Sequence, residues 1–266
     1  MTTERREWVP IDAVLRDLRE KLATGPDYVT LSGSGEPTLY SELGPLISRI
    51  RRFTDVPVAV LTNGSLLADP SVRRELAGAD LVIPSLDAGD PSTFAAINRP
   101  HEDVDFDAMV DGLVEFAAEH PGRTWLEVFV LDGVNDADGA IDRIATITRR
   151  VRPLRTQLNT ATRPTAERFA RPVDAKRLAR IARRFVPPAE VVADYRGVHG
   201  TSEVRADRET VLEIVRRRPC SLADIAEGLR MHRNEVVKHL GELEAERLIE
   251  REDVAGTAFY RGRVTE

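Results

Sequence analysis

The sequence predicts an α/β protein whose main part is a parallel β-sheet flanked by helices, with a smaller module at the C-terminal end. Three observations carry this. Between Asp27 and about Asn159, short β-rich apolar runs alternate with longer stretches of helical period, as repeated βα units do. Those runs are nearly apolar throughout, as strands covered on both faces are. After Pro187 and Pro188 the alternation stops, and from about Asp207 three helical segments precede two short strands.

The elements follow in order. A first helix has Pro10 where an opening turn tolerates it, then Ile11, Val14, Leu15, Leu18 and Leu22 as one apolar stripe, and stops at Gly25. The strands are expected at Tyr28 to Ser32, Val56 to Thr62, Leu81 to Leu86, Trp125 to Leu131 and Arg155 to Thr160, with a sixth candidate at Glu190 to Asp194. Between them, Asp69 and Pro70 open a short helix closed by Gly78, and Phe106, Met109, Val110, Leu113 and Phe116 mark a longer one. A helix stands before the first visible strand, so either its own strand lies upstream or the helix caps the sheet edge.

In the C-terminal module the first helix carries Val211, Leu212, Ile214 and Val215 and ends before Pro219. Ser221 caps a second with Leu222, Ile225 and Leu229, and a third runs from about Arg233 with Val236, Val237, Leu240 and Leu243. Leu248 to Glu250 and Ala258 to Arg261 flank a turn at Ala255 and Gly256. Three helices and such a hairpin suggest a winged helix-turn-helix. The expected division is therefore residues 1–200 and 201–266.

Composition narrows the classes. With 266 residues, 42% of them hydrophobic, the chain buries a full core. The apolar run Val56 to Leu61 is far short of the roughly 20 residues that cross a bilayer, and Met1 to Trp8 does not lead into a secretory signal. No membrane association is expected, and the cytoplasm is the expected compartment. The formal charge of -6, from 38 basic and 44 acidic side chains, argues against a surface that embraces nucleic acid along its length. One cysteine, Cys220, allows neither an internal disulfide nor a multi-thiolate metal site from this chain alone.

In parallel βα folds ligands bind at the carboxyl ends of the strands. Here those ends read Ser32-Gly33-Ser34-Gly35-Glu36-Pro37, Thr62-Asn63-Gly64-Ser65, Ser85-Leu86-Asp87, Asp132-Gly133-Val134-Asn135 and Asn159-Thr160-Ala161. Gly33 and Gly35 let a ligand approach the backbone, and Glu36 is an anionic acceptor suited to an ammonium group. Singly, each segment also reads as an ordinary turn. Together they predict that Glu36, Asn63, Ser85, Asn135 and Asn159 converge on one open mouth.

Gly-Glu-Pro after the first visible strand, Leu-Thr-Asn-Gly after the second, Pro-Ser-Leu-Asp after the third and Gly-Val-Asn-Asp after the fourth resemble the radical S-adenosylmethionine (SAM) superfamily. The resemblance runs from about Glu4 to Arg163 and looks closest to predicted iron-sulfur oxidoreductases related to wyosine-forming tRNA-modifying enzymes. It implies a partial (βα)6 TIM-type barrel lacking its first strand. It also implies that Gly35, Glu36 and Pro37 receive the methionine amino group, with Gly33 in the same cofactor-binding loop and Thr62 and Asn63 in the next strand-end motif. Ser85 and Asp87 would lie near the ribose or carboxylate, Asn135 near the adenosine, and Asn159 and Arg163 at the last strand end.

The implied chemistry is reductive cleavage of SAM to a 5'-deoxyadenosyl radical that takes hydrogen from a small-molecule or tRNA substrate, the electron coming from a donor such as ferredoxin or flavodoxin. The family's 4Fe-4S cluster needs three cysteines in a Cys-x-x-x-Cys-x-x-Cys loop. That loop is absent here, so the expectation is a cluster in a full-length form only, and a chain inactive as given. A late gene start, a shortened form or a degenerate relative would each account for it.

Two other classes compete. A ligand-responsive transcription regulator would present Arg230, His232, Arg233, Asn234, Lys238 and His239 to DNA. Between Thr201 and Glu266, however, 12 Lys and Arg face 14 Asp and Glu, so DNA binding ranks below a packing or protein-contact role. A cofactor-independent barrel enzyme would use Glu36, Asp87 or His101 for acid-base work, but no nucleophile-base spacing supports it.

Overall fold

The computed structural model describes residues 2–23, 25–32, 35–161, 170–192, 208–229, 231, 233–254 and 257–263. The chain separates into two compact units, the first formed by Met1–Thr160 with Arg171–Ala193 and the second by the remainder. The expected boundary after residue 200 lies outside the described residues.

The first unit is an α/β assembly on parallel strands. Strands β1 (Val29–Leu31), β2 (Val58–Thr62) and β3 (Leu81–Pro84) pair in that order, as do β4 (Trp125–Val130), β5 (Arg155–Thr160) and β6 (Glu190–Val191). Every one of these pairs is parallel. Parallel bridges from Val82 to Thr124 and from Ser85 to Glu127 join the two halves, so the strands follow one another in chain order. Helix α1 (Ile11–Leu22) precedes β1, and α2 (Leu43–Phe53), α3 (Pro70–Leu76), α4 (Pro91–Asn98), α5 (Phe106–Glu119), α6 (Asp138–Val151) and α7 (Ala175–Ala182) fill the crossovers.

The strands are shorter than their apolar runs. Pro57 has no N–H to donate to a ladder, so β2 begins at Val58 rather than Val56. The expected Asp194 end of β6 lies outside the described residues, and the two paired residues of that strand are both exposed, as on a short edge. Pro10 is the cap preceding α1 rather than part of its first turn.

The strands are also less uniformly apolar than expected. In β4, Leu126, Val128 and Val130 are completely buried, while Trp125, Glu127 and Phe129 are half-buried on the opposite face. In β5, Leu158 and two threonines are buried and Gln157 and Asn159 alternate with them. One face therefore packs under helices, with Ile47, Ile50, Leu113, Phe116, Ile141 and Ile144 as its fully covered partners. The other face keeps polar residues at its upper end.

Two glycines set how closely this core closes. A Cβ on Gly112 of α5 would lie 2.2 Å from the carbonyl oxygen of Leu67, and one on Gly89 would lie 2.4 Å from Cβ of Arg143 on α6. Neither position accommodates a side chain without backbone movement.

The second unit has its own core, built from Val211, Val215, Ile225, Val236, Leu240 and Ile249. Three helices, α8 (Arg208–Arg217), α9 (Leu222–Gly228) and α10 (Arg233–Ala245), accompany an antiparallel sheet in the order β7 (Cys220–Ser221), β9 (Thr257–Gly262), β8 (Ile249–Val254). Ser221 caps α9 through Asp224 N–H, and the Asp224 carboxylate accepts from Ser221 N–H in return, closing a capping box. The Cys220–Ser221 strand had no pattern long enough to signal it. The expected turn at Ala255 and Gly256 lies outside the described residues. Among the described residues no helix is long and apolar enough to cross a membrane.

Candidate functional site

The loops after β1, β2 and β3 open into a cavity of about 620 Å³. Its floor is apolar: Leu61 and Ile83 are register partners on β2 and β3 and both face it. One rung higher the lining turns polar. Asn63 and Ser85 follow the last β2–β3 pair, and Ser85 bridges to Glu127 on β4. Alternation along a strand requires these three side chains to leave the sheet on the same side as Leu61 and Ile83, and all three line the cavity.

Glu36 is the most fully constrained group there. After β1 the chain makes a single 3-10 turn at Pro37–Leu39, and Glu36 caps it. Its Oε1 accepts from Thr38 N–H at 3.0 Å, from the Thr38 hydroxyl at 2.7 Å and from the Thr62 hydroxyl at 2.5 Å. Its Oε2 accepts from Asn63 N–H at 2.7 Å. Thr62 in turn accepts from Gly64 N–H at 3.1 Å, and Asn63 Oδ1 accepts from Ser65 N–H at 2.9 Å, which fixes the β2 loop. Gly64 sits at a φ of 76°, where a side chain would be strained. The result is a carboxylate held by two strand ends before any ligand arrives. A Cβ on Gly35 would meet nothing within 4 Å, so the space before that backbone is open.

Of the residues expected at a ligand, Gly35, Glu36, Pro37, Thr62, Asn63 and Ser85 line this cavity. Gly33 and Arg163 lie outside the described residues. Asp87, Asn135 and Asn159 are placed differently, and the reason is visible in their partners.

Asn135 is fully buried, and its amide is spent on backbone. Its Oδ1 accepts from Leu131 N–H at 2.7 Å, and its Nδ2 donates to the carbonyls of Asp87 and Phe129, each at 2.8 Å. It clasps the ends of β3 and β4 together. Asp87 accepts from Phe129 N–H at 2.8 Å and from Asn98 Nδ2 at 2.9 Å. Part of the residue reaches the surface, but the carboxyl group is enclosed, and burial pushes it up to about 6; the two hydrogen bonds oppose this and the nearby Glu127 charge adds to it. Asn159, two residues beyond Glu127's register partner Gln157 and so on the same sheet face, donates from Nδ2 to Glu127 Oε1 at 3.1 Å and holds a cavity residue without lining the cavity itself.

Sequence reasoning missed Glu127 and Asn98. The signal for Glu127 was present, an ionisable residue in the otherwise apolar stretch Trp125–Val130. His101, raised only as an acid-base candidate, lines the cavity from the loop after α4, with Nδ1 accepting from Asp103 N–H at 3.3 Å. The lining residues include the carboxylates of Glu36 and Glu127 and no lysine or arginine among the described residues. Such a cavity favours a cationic or donor-rich ligand. No group of three His, Cys, Asp or Glu side chains suited to a metal ion occurs among the described residues.

Comparison with known proteins agrees with the strand-end motifs. The chain is 35% identical over 263 residues to a protein named GTPase Obg from Brachyspira hyodysenteriae, a match covering 97% of this chain and 39% of that one. It is 29% identical over 188 residues to a UPF0026 protein from Methanocaldococcus jannaschii, covering 69% and 58% respectively. The chain thus spans about two to three fifths of the length of these relatives. Among solved structures, a radical SAM methyltransferase from Sphaerobacter thermophilus superposes with a TM-score of 0.53 at 22% identity, over 70% of this chain and 57% of that one. The sequence profile of the radical SAM superfamily matches residues 1–144, more than half the chain, and the chain belongs to that superfamily.

Proposed function

We propose that this chain provides the SAM-binding side of a radical SAM oxidoreductase, with the first unit as a partial (βα)6 barrel and the second as a winged helix-turn-helix. The superfamily uses SAM and a 4Fe-4S cluster, and the two groups fit the residues differently. SAM carries positive charge at its sulfonium and its ammonium. The cavity offers two carboxylates, no lining lysine or arginine among the described residues, and a volume suited to a small cofactor. The cluster finds no fit in this chain. Its three thiolates cannot come from one cysteine, and Cys220 is buried in the core of the other unit.

SAM bound beside a cluster supplies the radical chemistry of the superfamily. This chain's own residues bind and orient it. Glu36 receives the ammonium, because its carboxylate is already aligned by Thr38, Thr62 and Asn63 and needs no reorganisation on binding. Asn63 and Ser85 present polar groups along the next rung, and Leu61 and Ile83 give the apolar floor. Asp87 and Asn135 act indirectly, by fixing the ends of β3 and β4. The substrate, a small molecule or a tRNA, and an electron donor of the ferredoxin or flavodoxin kind complete the proposal.

The pre-aligned Glu36 carboxylate in a cationless cavity carries this reading. Its test is a calorimetric titration of the chain with SAM and with S-adenosylhomocysteine, which lacks the sulfonium charge. SAM should bind more tightly, and Glu36→Gln should weaken it about tenfold with the circular dichroism spectrum unchanged. Equal SAM affinity in the variant would remove Glu36 from the site. No observation favours the DNA-binding alternative, since α10 interleaves Arg233 and Lys238 with Glu235, Glu242 and Glu244.

A further inference from the structure

On the outer side of the first unit, α1 and α2 border a groove of about 500 Å³ whose polar lining is almost entirely arginine. Each helix contributes a pair three residues apart, Arg16 and Arg19 from α1 and Arg49 and Arg52 from α2. Residues at that spacing lie on one face of a helix. All four arginines therefore line one groove, and they do so on a protein whose formal charge is -6.

Little in the protein balances them. Arg49 pairs with Asp12 at 2.6 Å, the single carboxylate of the lining. Arg19 lies 5.0 Å from the ring centroid of Phe53, a cation–π contact that leaves its charge uncompensated. Arg16 and Arg52 have no acidic partner among the described residues. Asp12 and Glu20, four residues to either side of Arg16, offset part of the repulsion within α1, but the pair on α2 has no such flanking carboxylate in its own helix. Leu15 and Phe53 give the groove a half-buried apolar floor, unlike a flat solvated face.

We propose that this groove binds a small polyphosphate, a ligand with two or more adjacent phosphate groups. Four forked guanidinium groups can grip several phosphate oxygens at once, each arginine offering two parallel N–H donors, whereas a single phosphate would leave part of the set unused. A groove of this size holds a small molecule. It does not continue as a track: the neighbouring Arg51 is turned to Asp80 at 3.0 Å, and the chain as a whole is acidic. A short, isolated basic groove suits free polyphosphate better than a nucleic-acid strand, which needs charge along its path.

The experiment titrates the chain at low ionic strength with inorganic pyrophosphate, with ATP and with a short oligouridylate, beside Arg16→Gln, Arg52→Gln and the double variant. These side chains are exposed, and none lies in the SAM cavity. Pyrophosphate should bind saturably at one site, displace ATP, and lose about threefold in each single variant and about tenfold in the double variant. Failure to saturate, or equal affinity in wild type and double variant, overturns the proposal. An oligouridylate binding more than about tenfold tighter than pyrophosphate overturns it too, because the groove would then belong to an RNA-binding surface. SAM titrations of the same proteins report separately on the cavity.

Discussion

Replacing Asp87 by asparagine removes a charge beside the cavity residue Asn98 while keeping its main contact. The new Oδ1 still accepts from Phe129 N–H, now made at 2.8 Å. The new Nδ2 meets Asn98 Nδ2, its partner at 2.9 Å, so the Asn98 amide must turn over. Turning delivers Asn98 Oδ1, a buried acceptor without a partner, to the new donor. What is gained is the cost of the buried charge. Moving a carboxyl from 3.8 to about 6 corresponds to about 3 kcal/mol at 1.4 kcal/mol per pH unit. What is lost is the Asn98 N–H partnership, about 1 kcal/mol.

The sign follows from proton linkage. The folded state holds this proton more tightly than the unfolded chain, so the wild type loses stability from this group as pH rises from about 4 to about 6 and is level above that. The variant has no such slope. Urea unfolding at a series of pH values should find Asp87→Asn more stable by about 2 kcal/mol near pH 8 and less stable by about 1 kcal/mol near pH 4. Subtracting the two proteins removes the titration of carboxylates remote from Asp87. A difference that stays flat across that range, or a variant less stable than wild type near pH 8, would refute the buried-charge reasoning.

The same measurement checks three further positions. Asn135→Ala leaves Leu131 N–H and the carbonyls of Asp87 and Phe129 without their shared partner, and should cost about 3 kcal/mol; a loss below about 1 kcal/mol would mean water takes its place. Gly112→Ala should destabilise by about 3 kcal/mol despite the better helix propensity of alanine, because its Cβ meets the backbone of Leu67 on arrival; a more stable variant would show that α5 packs less closely. Asp90 caps α4 and is held well below the usual carboxylate range, first by the Ser92 hydroxyl and then by Thr93 N–H. Its folded pKa lies below its unfolded one, so Asp90→Ala should cost about 1 kcal/mol at neutral pH and progressively less as the medium is acidified through the carboxylate range; a cost independent of pH would mean the effect is not the charged cap.

The parallel strand order was legible because βα alternation is a strong local signal: Val58–Thr62 and Leu81–Pro84 are short apolar runs bounded by turn residues, and both are strands. The single-face use of β4 and β5 was not. A strand is assigned from how apolar its residues are on average, whereas the face that opens into a cavity is set by register with neighbours far along the chain. Glu127 is a cavity residue because it stands opposite Ser85, 42 residues earlier, and nothing within Trp125–Val130 encodes that distance.

The candidate site divides along the same line. Glu36, Thr62 and Asn63 were legible because each stands at a strand end, and strand ends of a parallel sheet share one rim. Asp87 and Asn135 occupy equally suggestive positions, yet they serve the rim rather than the ligand. The distinction lies in how many backbone groups each must satisfy. β3 and β4 are joined only by isolated bridges, so the polar backbone at their upper ends needs partners, and Asn135 supplies three hydrogen bonds there. β2 pairs with β3 in continuous register up to Thr62 and Pro84, which leaves the Thr62 hydroxyl available to orient Glu36. The Glu36 carboxylate is therefore held where the sheet is continuous, and the cavity's polar foundations lie where the sheet is interrupted.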